Sequence, residues 1–274
     1  MMSEEKRFGM IRYNKIREKT KGGKSYSKVA GIVSHTTMNR MQDYYHVLQE
    51  SMTYVINEEQ TQIQQAAQMM SESIQQEKKV YFFGTGHSYI IGQEVFARAG
   101  GYAGFIPILE NELGMNHAFK STMIERTTEY ADVLMELYPF EKGDTIVMTS
   151  NSGRNALLVE LAQRLKAIGV KIIALTALEA SKNSTSRHAS GLRLFELADV
   201  ILDNRSVYGD ASIAHTEVVK TGPTSTVMSC FIIQLVVTAF VQLEVERGVD
   251  VPVFRSSNID GGDAYNEKLF AIYR

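Results

Sequence analysis

The feature that most constrains this chain is a change of hydrophobic period near residue 79. Before it, apolar residues recur every three or four positions. After it, short apolar runs alternate with helix-length segments. Val80–Phe83, Ala103–Leu109, Thr145–Met148, Lys171–Leu175 and Val200–Leu202 each contain such a run. Runs this short and this rich in Val, Ile and Phe read as strands buried on both faces, the signature of a parallel sheet. Helical patterns lie between them, over Ser88–Arg98, Ala131–Tyr138 and Ala156–Ile168, the last stopped by Gly169. That alternation predicts βαβ units with right-handed crossovers and helices on both faces of the sheet. The expected fold class is α/β, a three-layer α/β/α sandwich around a five-stranded parallel sheet.

Ahead of the first strand, Tyr45, Leu48, Met52, Val55 and Ile56, then Ile63, Ala66, Ala67, Met70 and Ile74, form one stripe. They predict a long N-terminal helix over residues 44–76. Residues 1–40 differ in kind: nine basic side chains from Lys6 to Lys28 outweigh Glu4, Glu5 and Glu18, and apolar periodicity is weak. We expect a basic, flexible extension over 1–40 and one domain over 41–274; a nucleic-acid contact is the weaker reading of that arm.

The formal net charge of −2 supplies no overall field to recruit nucleic acid or a membrane surface. A single cysteine, Cys230, cannot close a disulfide within the chain, and its neighbours are apolar. With no apolar core in the first 28 residues, a cytoplasmic location and no membrane partner are expected. The apolar stretch from Val227 to Leu243 is interrupted by Ser229, Gln234, Thr238 and Gln242, which favours a helix in the protein core over one spanning a bilayer.

Two strand ends carry polar loops. Gly84-Thr85-Gly86-His87-Ser88 follows the first strand, and Thr149-Ser150-Asn151-Ser152-Gly153-Arg154-Asn155 the third. Each leads into a helix, whose free N–H groups and positive dipole end suit an anion. Ser88, Ser150 and Ser152 add hydroxyl donors, while Gly86 and Gly153 let the backbone come close; His87, Asn151 and Asn155 complete the candidate binding set. The competing reading makes the serines helix caps and the glycines turn residues; two such loops on separate strands favour a phosphate site. Ser225, in Lys220–Thr226, is a third candidate contact. A dinucleotide loop would need glycine where Tyr89 stands, a P-loop would need Gly-Lys-Ser/Thr, and no Cys/His cluster suggests zinc. No cofactor and no metal are expected.

These two loops resemble those of the sugar isomerase (SIS) domain family, marked by Gly-x-Gly-x-Ser and Ser-x-Ser-Gly-x-Thr; Asn155 stands in place of the final Thr. Arg98-Ala99-Gly100-Gly101 and Gly222-Pro223-Thr224-Ser225-Thr226 strengthen the likeness, which looks greatest to bacterial single-domain members related to phosphoheptose isomerase. The resemblance implies a flavodoxin-like sheet, a phosphosugar ligand, and a homodimer or homotetramer. It leaves the chemistry open. The family's heptose isomerase and its etherase carry a catalytic Glu ten residues after the first-loop Ser, and here that residue is Arg98. Isomerisation needs a group that moves a proton between adjacent carbons; Glu94, on the helix after the first loop, and His117 are the candidates. The leading reading is therefore an aldose–ketose isomerase of a phosphosugar, with a non-catalytic phosphosugar sensor and an etherase-like lyase as alternatives.

Overall fold

A computed structural model describes residues 33–273, with side chains from residue 39. The basic segment over 1–40 therefore lies almost wholly outside the described residues. Two helices come first, α1 (Val33–Glu58) and α2 (Gln60–Gln75). The sheet domain continues with β1 (Val80–Gly84), α3 (Ile90–Val95), β2 (Phe105–Pro107), α4 (Ala118–Ile124) and α5 (Tyr130–Leu137). Next come β3 (Thr145–Thr149), α6 (Ala156–Ile168), β4 (Lys171–Thr176), α7 (Leu178–Lys182), α8 (Leu194–Leu197) and β5 (Val200–Asp203). A small ribbon, β6 (Ile213–Ala214) with β7 (Lys220–Thr221), precedes α9 (Ser225–Glu246) and α10 (Gly262–Tyr273).

The five strands pair in parallel in the order β2-β1-β3-β4-β5. This is the flavodoxin-like order, whose direction of winding reverses between β1 and β3. All five residues of β1 and of β3 are buried, as expected for strands covered on both faces. β2 is an edge strand, so the missing N–H of Pro107 costs no ladder bond.

Alternate residues of each strand enter separate cores. Phe82, Val147, Ile173 and Leu202 pack with Ala66, Ala67 and Met70 of α2 and with Met228, Ile232 and Phe240 of α9. Tyr81, Phe83, Ile146 and Ile172 pack with Leu157, Leu161 and Leu165 of α6 and Leu134 of α5. Phe240 has no exposed surface, so truncating it to Ala costs about 3–5 kcal/mol.

Three expected boundaries move. The long N-terminal helix breaks at Glu59, whose φ of −105° and ψ of 8° end one helix and begin the next. The break lets α2 bury Ile63, Ala66, Ala67 and Met70, while α1 leaves Tyr45 and Ile56 exposed. The helix expected over residues 88–98 is shorter: Gly86–Tyr89 forms a 3-10 turn, α3 ends at Val95, and Ala97 turns to a φ of 47°. The cause lies farther along the chain. Gly100 donates to the carbonyl of Phe254 and Phe254 to that of Gly101, so an extended pairing captures this segment. The second strand is confined to three residues for the same reason, since the Ala103 N–H donates to Pro252.

Among the described residues, α9 is the one helix long and apolar enough to cross a bilayer. Met228, Ile232, Val236 and Phe240 nevertheless lie buried in the core against α2 and the sheet, as the sequence suggested. Cys230 is half-buried on the same helix, and burial raises its thiol pKa.

Candidate functional site

In a sheet of this order ligands bind beyond the carboxyl ends of the strands at the reversal point, and both polar loops sit there. Between them opens a cavity of about 530 Å³. One wall is Thr85, Gly86, His87 and Ser88; the other is Ser150, Asn151, Ser152, Arg154 and Asn155. Met115, Thr122 and Glu125 close one side, and Ser184, Arg187 and Asp210 stand at the rim.

The loops are held from below. At Gly84 a Cβ would lie 2.4 Å from the carbonyl oxygen of Ser88, so only glycine allows the chain to turn this tightly out of β1. Gly153 has a φ of 61°, and a Cβ there would meet Ser181 Oγ at 2.9 Å. Ser150 Oγ accepts from the Gly153 N–H at 3.2 Å. Asn151 Oδ1 accepts from Asn204 at 3.1 Å, and the carbonyl of Ser152 accepts from Ser181 Oγ at 2.8 Å. The hydroxyls of Ser88 and Ser152 make no hydrogen bond to any described residue, which leaves them for a ligand. Asn155 begins α6 with a ψ of 147° and no side-chain cap, so the positive end of that helix also faces the cavity.

Charge is concentrated on the outer side. Thr85 Oγ1 donates to Glu125 Oε2 at 2.8 Å and fixes the direction of that carboxylate. Arg187 Nη1 donates to Asn155 Oδ1 at 2.7 Å, and Arg154 Nη2 to Thr185 Oγ1 at 2.9 Å. The Nε of Arg154 is buried without a partner among the described residues. Desolvation against the cavity wall, followed by the charges of Arg154 and Arg126, lowers the Arg187 pKa.

Comparison with known proteins accords with this geometry. The SIS domain model matches residues 43–177. A UPF0309 protein of Oceanobacillus iheyensis is 39% identical over 240 residues, covering 86% of this chain and 98% of its own length. The chain belongs to the UPF0309 family of SIS-domain proteins. A second member, from Listeria monocytogenes, is 33% identical over 84% of this chain and 94% of its own. The solved structure of a phosphoheptose isomerase from Neisseria gonorrhoeae superposes with a TM-score of 0.50. It covers 76% of this chain and 98% of its own at 16% identity, a likeness of fold.

The SIS loops bring together Gly86, His87, Ser88, Ser150, Asn151, Ser152 and Asn155 from the sequence-derived set, and Gly153 shapes the turn beneath them. The structure corrects two other expectations, Glu94 and His117, and qualifies a third, Ser225. Glu94 does not line the cavity. Arg98 pairs with it on the same turn and Gln234 Nε2 donates to it at 3.1 Å, so it joins α3 to α9. His117 is exposed at the start of α4, where Nδ1 accepts from the Lys120 N–H at 3.3 Å; it is a helix cap. Ser225 lines an adjoining crevice of about 10 Å³ that shares His87, Ser88 and Asn151 with the main cavity. Its hydroxyl and N–H, with the Thr224 N–H, all donate to the Asp210 carboxylate.

Sequence reasoning missed Glu125, Arg187 and Asp210. None belongs to a recognisable motif. Glu125 ends a short helix 40 residues from the Thr85 it bonds, and Arg187 lies 32 residues from Asn155. The turn dipeptide Gly209-Asp210 was the one local signal, and Asp210 adopts a φ of 51° there.

Proposed function

We propose that the cavity binds a phosphorylated sugar and interconverts its aldose and ketose forms. SIS-family membership supports a phosphosugar ligand, and the site's own chemistry agrees with it. The phosphate seats on the Ser88 and Ser152 hydroxyls and the start of α6. The observation that carries the catalytic part is Glu125, a carboxylate oriented by Thr85 and facing the cavity between the two loops. As general base it removes the proton from the hydroxyl-bearing carbon beside the carbonyl. The C–H electron pair then forms the C=C bond of an enediol as the carbonyl oxygen gains a proton. Glu125 returns its proton to the neighbouring carbon, and the second hydroxyl becomes the new carbonyl. His87, on the first loop, stands where it can exchange the hydroxyl protons.

Thermal unfolding against a panel of sugar phosphates and their free sugars tests the binding step. A ligand at 100 times its dissociation constant adds about 2.7 kcal/mol, which for a chain of this size is roughly 5–10 °C. A shift with a phosphate ester and none with the free sugar is the expected result. No shift across the panel would reduce the serine loops to structural turns. A shift with a ligand whose carbonyl then stays in place over hours, followed by NMR, would leave a sensor rather than an isomerase.

A further inference from the structure

Two asparagines at neighbouring strand ends are linked in a way that decides which atom of one amide meets the cavity. Asn204 follows β5, is 1% exposed, and donates its N–H to the Thr176 carbonyl at 2.9 Å. The Ser206 N–H donates to Asn204 Oδ1 at 3.0 Å, closing a turn. A backbone N–H can only donate, so the other terminal atom of Asn204 is its nitrogen. That Nδ2 donates to Asn151 Oδ1 and to Ser229 Oγ, at 3.1 Å each. Asn151 therefore turns its oxygen toward Asn204, and its own Nδ2 is left over. The backbone of Asn151 is fixed as well: its carbonyl accepts from the Thr176 hydroxyl at 3.2 Å and the Ala177 N–H at 3.1 Å.

We infer that Asn204 is a positioning residue, which through Asn151 sets a fixed N–H donor on the cavity wall for an accepting oxygen of the ligand. The inference rests on the phosphosugar reading above and adds to it the residue that orients one contact. Asn151 lines the cavity, and its Nδ2 keeps accessible surface without a hydrogen bond to any described residue. Asn204 itself stays out of reach. Of the two spaces that Asn151 lines, it borders only the crevice of about 10 Å³, room for about one water. A donor held in place before the ligand arrives needs no reorientation on binding. A freely rotating amide would present its own oxygen to the same atom as readily as its nitrogen.

NMR of the side-chain amides in the full chain, labelled at asparagine, tests the arrangement first in the unaltered protein. The Asn204 protons should exchange slowly with water and the Asn151 protons rapidly; the reverse pattern overturns the inference. Each signal is assigned by its loss in Asn204→Asp or Asn151→Asp. Inorganic phosphate is then added, and separately fructose phosphate esterified at carbon six. A response of the Asn151 signal to both puts the donor on the phosphate, a response to the ester alone puts it on a sugar oxygen, and either supports the inference. Asn204→Asp keeps the size and the contacts from Ser206 and Ser229 but offers Asn151 an acceptor, so Asn151 turns its nitrogen inward. Affinity for the fructose ester should fall about tenfold or more, and the Asn151 protons should become slow to exchange and unresponsive to ligand. Asn204→Ala, which adds no charge, should leave those protons rapid and lower affinity about threefold. Full affinity in both variants overturns the inference. So does a loss in Asn204→Asp with the Asn151 protons still rapid and responsive, which would assign the loss to the added charge alone. A thermal midpoint shifted by the ester with an unresponsive Asn151 signal in the unaltered chain overturns the inference and leaves the phosphosugar reading standing. No response to either probe, with no sugar phosphate shifting the midpoint, overturns that reading and the inference with it.

Discussion

The starts of α6 and α9 look alike in sequence and differ in the folded chain. Each follows a loop of Ser, Thr and Gly, and each presents the positive end of a helix to the same edge of the sheet. At α9 the Asp210 carboxylate accepts from Thr224 N–H and Ser225 N–H at 3.0 Å each, and from the Ser225 hydroxyl. That terminus is already neutralised from within. At α6 no side chain caps the helix, the Leu157 N–H donates to the Glu125 carbonyl, and the Ser152 hydroxyl is unengaged. The start of α6, unlike that of α9, receives no carboxylate from the chain itself.

Substitutions can break this contrast, and the largest effect belongs to the α6 side. Glu125→Gln keeps shape and the Thr85 contact but removes the base. Turnover of a phosphosugar substrate should fall about 10²–10⁴-fold while ligand-induced thermal shifts persist. Retained turnover would remove Glu125 from the chemistry. Gly153→Ala comes next, because it forces a side chain onto a φ of 61° and against Ser181 Oγ. We expect a loss of about 1–3 kcal/mol in chemical denaturation together with weakened phosphate-ester binding.

Two milder changes separate the helix starts directly. Asp210→Ala exposes the α9 amides and should cost about 1–2 kcal/mol of stability, while sugar phosphate affinity should hold or rise, because the change removes a carboxylate from the cavity rim. Ser152→Ala should do the reverse, weakening phosphate-ester binding by about threefold to tenfold at an unchanged thermal midpoint. Swapped outcomes, with binding lost at Asp210 and stability lost at Ser152, would invert the assignment of the two helices.

The smallest effect concerns the support of the rim. The segment carrying Arg187 hangs from α6 through His188 Nε2 and Glu160 Oε2, 2.8 Å apart, and Glu160 also accepts from Arg164. Hydrogen bonds from Arg164 first and His188 second lower the Glu160 pKa below the ordinary carboxylate value of 4.5. A depressed carboxylate adds stability that is present above its unfolded pKa and lost as pH falls through its folded one. The thermal midpoint should therefore decline as pH drops below 4.5. Glu160→Gln should flatten that decline by about 0.5 kcal/mol, a value limited by solvent screening.

Much of this fold is legible because its signals are local. The period of two faces buried together marks Val80–Phe83 and Thr145–Met148 as strands, since parallel pairing hides every residue. Gly169 stops α6 in a left-handed C-cap with a φ of 89°, a conformation glycine adopts without penalty. The loops after β1 and β3 are visible for the same reason: their Gly and Ser residues answer to turns made within a few positions. Where distant backbone competes, local reading fails. The helical pattern after Ser88 runs to Arg98, but the pairing of Gly100 and Gly101 with Phe254 stops the helix at Val95.

The sequence by itself determined the alternation of strands and helices, the two polar loops and the SIS family to which they belong. Only the tertiary structure decided which side chains share the cavity. Glu94 and His117 sit close in sequence to the first loop and to the segment after β2, yet packing on α9 draws one away and helix capping employs the other. Glu125, Arg187 and Asp210 arrive from three remote segments without any motif. The reason is physical: secondary structure answers to neighbours a few residues away, whereas a site at the reversal of a parallel sheet is assembled from strand ends and loops that meet only when the sheet closes.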